Sequence, residues 1–256
     1  MRTLVWMHPN VIARNYSKVL YNAIVEDWYD QIASAVFPQL NTMIVETRFD
    51  STLSRAIDTV KYFMKFNMDI SVSVLARRYA KELDKFNHGQ AIKVMQSEVF
   101  IPYIDKVIEN FVEQNVRLVQ GLSDEMARLL EQRIISGVKK GYNASQLQKS
   151  IMYRFGIEKG VFQTIKTRME LIAVDQIGKL NADLTELRQT LLGVDEYIWR
   201  TRRDNKVRKE DAEREGKTYR WGPTVAPFDA PGRKVRCRCW AEPILTSILK
   251  KKSRYK

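Results

Sequence analysis

Histidine is nearly missing from this chain of 256 residues: His8 and His88 are its only two. A Ser-His-Asp or Cys-His nucleophilic centre would have to recruit one of them. His8 precedes Pro9, and His88 sits in Asn87-His88-Gly89, a sequence that suits a helix stop, so neither is placed for catalysis. There is no Gly-x-x-x-x-Gly-Lys phosphate loop, no His-Glu-x-x-His and no Gly-x-Gly-x-x-Gly. Cysteine is as scarce: Cys237 and Cys239 make no disulfide framework, which fits a reducing compartment. No apolar run approaches the ~18 residues of a membrane span. The N-terminal stretch offers only about five apolar residues before His8-Pro9, too few for a signal-peptide core. These shortages argue against catalysis, secretion and membrane insertion.

Positive charge is abundant, and it is unevenly placed. The chain carries 43 Lys and Arg against 30 Asp and Glu. From Tyr197 onward there are 18 against seven, which leaves 25 against 23 for the rest. The same end holds both cysteines, three of five tryptophans and four of seven prolines. Such an asymmetry points to an acidic partner, with nucleic acid foremost.

The first three quarters read as helices. Leu20, Ile24, Trp28, Ile32 and Val36 recur every four residues until Pro38, where the pattern is expected to stop. Asp50-Ser51 suits an N-cap for a segment with Leu53, Ile57, Val60, Phe63 and Met64 on its apolar face. A separate helix is expected over Ser71–Phe86, closed by Asn87-His88-Gly89. Another carries Ile92, Met95, Val99, Tyr103, Val107, Ile108 and Phe111, with Pro102 kinking or splitting it. Ser123 is expected to cap a new helix through Met126, Leu130 and Ile134. Asn143 with Gln146 resembles a capping box for a short helix ending at Gly156, and the longest clean helix runs from about Gly160 to Leu192 before Gly193. The aromatic and methionine residues of these stripes are expected in the core.

After Gly193 the period changes to two. Tyr197, Trp199 and Thr201 alternate with Ile198 and Arg200, as in a strand. Thr218–Trp221 reads as a second strand and Val235–Glu242 as a third, with Val235, Cys237, Cys239 and Ala241 on one face. The fold class is therefore α+β: a mainly helical body followed by a small C-terminal antiparallel β-rich module. The expected divisions are 1–70, an N-terminal helical region; 71–193, the helical body; 194–245, the basic module; and 246–256, a basic tail.

Arg200, Arg202, Arg203, Lys206 and Arg208 follow Trp199, and Arg233, Lys234, Arg236 and Arg238 precede Trp240. With Lys250, Lys251 and Lys252 of the tail they form the candidate nucleic-acid surface, since guanidinium groups pair with phosphates and aromatic faces stack on bases or support arginines. Pairing with acids of the same module is the competing use, but 18 bases exceed seven acids. Non-specific contact with double-stranded DNA is expected, as no base-reading motif is present. Cys237 and Cys239 could ligate a metal with Asp211. Zinc sites more often space their cysteines by two to four residues, though, and no further Cys or His completes the set, so both are expected as packing residues without a metal or cofactor.

The end of the chain resembles the phage Mu F-protein family of minor head, or head morphogenesis, proteins. The resemblance rests on an ordered series: Tyr197-Ile198-Trp199-Arg200-Thr201, then Asp204-Asn205-Lys206-Val207-Arg208, Gly216, Pro231-Gly232, and Cys237-Arg238-Cys239 followed by Pro243. Asn115-Val116-Arg117-Leu118-Val119 and Leu171-Ile172-Ala173 resemble upstream family blocks, so the likeness covers roughly 70–245 and is sharp over 197–243. Two departures stand out. Asp211 stands where the family commonly has His, and Val174-Asp175-Gln176 follows Ile172-Ala173 where Arg-Thr-Glu is usual. The resemblance implies a non-catalytic, low-copy virion protein. It would be assembled in the host cytoplasm near the portal or capsid protein, assisting head assembly, DNA packaging or ejection. It implies no membrane and no small-molecule ligand. The alternatives are an enzyme acting on nucleic acid or protein, and a soluble DNA-binding regulator.

Overall fold

The computed structural model describes residues 6–40, 51–155, 161–222 and 230–245, without the side chains of 51–54, 152–155 and 161–165. The expected cap at Asp50, the stop at Gly156, the proline loop around Pro223–Pro227 and the basic tail lie outside these residues. The elements run α1 (Asn10–Gln31), a π turn (Ile32–Val36), α2 (Ser51–Met95), α3 (Ile104–Lys139), α4 (Ala144–Phe155), α5 (Val161–Leu191), β1 (Glu196–Arg200), α6 (Lys209–Ala212), β2 (Thr218–Arg220) and β3 (Trp240–Pro243). Among the described residues, a mainly helical part is thus followed by a three-stranded antiparallel sheet of order β2-β1-β3, the expected α+β class. None of the described helices is long and apolar enough to cross a membrane.

The chain forms two compact units. In one, residues 16–76 and 112–172, every described element is helical. Its interior follows the apolar stripes: Leu20, Ile24 and Trp28 on α1, Val60, Met64, Met68 and Val72 on α2, and Val119, Met126, Leu130 and Ile134 on α3. Pro38 does not end the first stripe, because Leu40 is still helical and buried. The π turn accounts for this. Phe37 donates its N–H to the Ile32 carbonyl, five residues back, and the wider turn makes room for a ring that lacks an N–H. Ser123 does not start a helix either. It lies fully buried inside α3, whose apolar stripe continues on both sides. The α4 cap forms as expected: the Asn143 N–H donates to Gln146 Oε1, and the Gln146 N–H to Asn143 Oδ1, each at 2.9 Å.

α2 also places a line of residues outward. Tyr62, Phe66, Ile70 and Val74, four apart, are about two-thirds exposed, and Phe63 is half exposed rather than on the apolar face.

The other unit comprises residues 1–15, 77–111 and 173–256. Asn87-His88-Gly89 does not stop α2, which continues to Met95 and closes with Gln96 at φ 53°. Asn87 points inward instead. Its amide donates to Asn181 Oδ1 at 3.1 Å and Thr185 Oγ1 at 2.9 Å, and its Oδ1 accepts from Arg188 at 2.7 Å. Arg188, 2% exposed, also donates to Asp84 and to the Val99 carbonyl. Pro102 splits the next helical stretch as expected, and α3 begins at Ile104. α5 ends in a Schellman-type turn: Gly193 takes φ 83°, and the Val194 N–H donates to the Gln189 carbonyl at 2.9 Å. The third strand is shorter than the alternation predicts. A turn holds Lys234–Cys237 (Cys237 N–H to Lys234 carbonyl, 2.9 Å) with Arg236 at φ 55°, so Val235 is half exposed and pairing starts only at Trp240.

Candidate functional site

β1 is the spine of the basic module. It pairs with β2 through Tyr197↔Tyr219 and with β3 through Tyr197↔Pro243 and Trp199↔Ala241. The alternation read from the sequence buries Tyr197, Trp199 and Thr201, and the first two form a core with Cys237, Cys239 and Ala241. Trp199 is therefore no platform for a base, and its ring carries the Arg214 guanidinium 4.9 Å from its centroid. Gly216, at φ 77°, makes the return into β2 and donates to the Trp199 carbonyl at 2.9 Å.

Pro231 and Gly232 are buried. Gly232 takes φ 92°, and a Cβ there would lie 3.1 Å from Ala182 Cβ and 3.4 Å from the Cys239 carbonyl. This close approach lays the loop on α5 and requires glycine twice over, by conformation and by space.

The cations divide into two sets. Arg200 pairs with Glu242 and Glu215, and Arg203 with Glu215 at 2.9 Å. Arg208 meets Asp211 at 3.4 Å and donates to the Val235 carbonyl. Arg233 bridges Asp183 (2.9 Å) and Glu186 (2.5 Å) of α5, and Lys234 meets Glu210 at 3.1 Å. Arg238 grips both oxygens of Asp204, at 2.8 and 2.6 Å. These six hold the module together. Asp183 and Glu186 lie some fifty residues upstream of Arg233, and no local sequence signal marks them as its partners. Arg202, Lys206 and Arg236 are exposed and bridge to no acid among the described residues, though the Lys206 charge acts on nearby Asp204.

The ion pairs mark the carboxylates. The bond from Arg238 holds Asp204 below its ordinary range. Burial alone would raise Glu215, but the bonds from Arg203 and Thr201 outweigh it and hold the group low. His8 is pushed down to about 4, by burial first and then by the nearby positive charges of Arg202 and Arg238. It is neutral at physiological pH, and its ring hydrogen-bonds Asn10 Oδ1 at 3.0 Å.

A second grouping lies under this charged surface. Asp211, Cys237 and Cys239 are all buried, and their donor atoms lie within 4.8 Å of one another. Both cysteines are free thiols. The Cys237 thiol is shifted down by its hydrogen bond with Cys239, and the same bond and burial push Cys239 up. Cys237 Sγ lies 4.0 Å from Asp211 Oδ2, while Asp211 Oδ1 is buried without a hydrogen bond.

Every described residue of the ordered series read from the sequence, from Tyr197 to Pro243, falls in one unit. Comparison with known proteins gives two findings. Residues 129–242 match the family model described as Phage Mu protein F like protein. A protein of Haemophilus influenzae (strain ATCC 51907 / DSM 11121 / KW20 / Rd), described as an "Uncharacterized protein", is 22% identical over 257 residues; the match covers 91% of this chain and 56% of that protein. The chain thus spans about half the length of that relative. No solved structure matches it.

Proposed function

Taking as premise that residues 129–242 form a phage Mu protein F like segment, we propose that the chain is a minor head protein of a phage. It is built into the head near the portal or on the capsid interior, and it assists assembly, DNA packaging or ejection without catalysing a reaction. The observation that carries this reading is the family match, which spans the ordered series from Tyr197 to Cys239.

Two surfaces divide the work. DNA is met without sequence preference by Arg202, Lys206 and Arg236, exposed cations outside the module's ion pairs, and by the Lys250–Lys252 tail. Arg200, Arg203, Arg208, Arg233, Lys234 and Arg238 support that face through their ion pairs rather than supplying most of the contact. Other head proteins are met by the helical part of the chain, where Tyr62, Phe66, Ile70 and Val74 of α2 present an apolar line to solvent.

The test is sedimentation of lysate from producing cells, with mass spectrometry across the gradient. The expected result is co-migration with heads and portal at a few copies per particle. A chain that stays in the soluble fraction in excess over portal protein would sink the reading and bring forward an enzyme or a soluble regulator. The same gradient run on a Phe66→Glu, Val74→Glu variant is expected to move the chain from the particle to the soluble fraction.

A further inference from the structure

We propose that Asp211, Cys237 and Cys239 form a binding site for a thiophilic divalent cation, zinc being the ion that their donors fit best. Three independent observations converge on it. The first is geometric: a carboxylate and two sulfurs, from segments 26 residues apart in sequence, bring their donor atoms within 4.8 Å of one another. The second is burial: Asp211, Cys237 and Cys239 are 2%, 6% and 7% exposed, so this carboxylate is not a solvated surface group. The third is an unmet demand. Asp211 Oδ1 is buried with no hydrogen-bond partner, while Oδ2 has only a long contact to Arg208 and a thiol at 4.0 Å. Leaving a buried carboxylate oxygen unpaired is costly, and a cation coordinated by it removes that cost.

The local chain is shaped for this convergence. In a regular strand, two cysteines flanking one residue would point the same way but stay well apart. Here the turn at Lys234–Cys237, with Arg236 at φ 55°, departs from strand geometry just before the first cysteine. Arg208 donating to the Val235 carbonyl and Lys234 paired with Glu210 hold that turn against α6, which carries Asp211.

Two thiolates and one carboxylate favour zinc over magnesium or calcium, which take oxygen ligands. On binding, each thiol gives its proton to solvent and each sulfur donates a lone pair to the ion. The resulting centre carries one net negative charge, with the Arg208 guanidinium beside it. The three protein donors leave one tetrahedral position to solvent. The consequence is structural: strands of five, three and four residues enclose a small core, and a metal clip joining α6 to the Cys237–Cys239 segment reinforces it.

The experiment uses the full chain, purified with a reductant, stripped with a chelator and titrated with Co²⁺. The expected result is saturation at one ion per chain, with an intense thiolate-to-metal charge-transfer band that Zn²⁺ abolishes by displacement. Cys237→Ser and Cys239→Ser should each weaken that band sharply, and Asp211→Asn should keep it while lowering affinity roughly tenfold or more. The unaltered protein supplies a second readout that does not depend on any variant folding: Zn²⁺ should slow alkylation of both thiols. No charge-transfer band, equal alkylation rates with and without Zn²⁺, or the two thiols joined as a disulfide after purification in reductant would each overturn the proposal. An unchanged affinity in Asp211→Asn would overturn the three-donor assignment.

Discussion

The two units of this chain are stabilised differently. Among the described residues of 16–76 and 112–172 the interior is mostly apolar, and the Tyr16 hydroxyl bonding Asn115 Oδ1 at 2.9 Å is a buried polar link within it. In the other unit the interior is polar at several points. Arg188, Asn87, Asn181 and Thr185 form one buried network, and Gln189 ties α5 to the sheet by donating to the Ala241 carbonyl and accepting from Trp221 Nε1. Apolar burial tolerates imprecise fit, whereas a buried hydrogen-bond network fails when one member is removed. The helical unit should therefore respond to substitution gradually and the mixed unit abruptly.

Arg188→Ala tests that contrast most severely. It leaves Asp84 without its partner and Asn87 Oδ1 without its donor, so a loss of about 3–5 kcal/mol in urea unfolding is expected. A loss below about 1 kcal/mol would mean that the network contributes little. Gly232→Ala should cost about 1–3 kcal/mol, because alanine disfavours φ 92°. Pairing it with Ala182→Gly opens the 3.1 Å contact and should restore only part of the loss, since the backbone strain remains. Within the helical unit, Asn143→Ala removes a reciprocal cap at an exposed helix end and should cost about 1 kcal/mol. Arg236→Glu should change stability by less than about 0.5 kcal/mol. It should nonetheless weaken DNA binding and flatten its salt dependence, and an unchanged salt slope would remove Arg236 from the DNA face. Arg238→Glu should instead lose stability, because it puts a second carboxylate beside Asp204.

Much of this was legible in the sequence, and the residues show where legibility ended. The stripe on α1, the Asn143–Gln146 cap and the Tyr197–Trp199 alternation depend on neighbours within a turn or a pleat, so periodicity reports them. The stop at Asn87-His88-Gly89 misled because Asn87 serves partners about a hundred residues away, and tertiary bonds outweigh a local stop signal. The third strand was overextended for a similar reason. Val235, Cys237 and Cys239 alternate as a strand would, but distant Arg208 and Glu210 hold their segment in a turn. At the candidate DNA surface, composition showed that some cations must lack partners. Only the fold shows Asp183 and Glu186 reaching in to take Arg233.

The buried line on α2 has one more consequence. Ala56, Val60, Met64, Met68, Val72 and Ala76 follow one another at a strict interval of four. An α-helix closes a turn in about 3.6 residues, so each step of four overshoots by roughly 40°, and five steps carry the line about halfway round the axis. A repeat longer than the helical period coils packed helices to the right, opposite to the left-handed winding of a heptad. Tyr62, Phe66, Ile70 and Val74 keep the same interval on the outside, so a helix seated along them has to follow the same right-handed path.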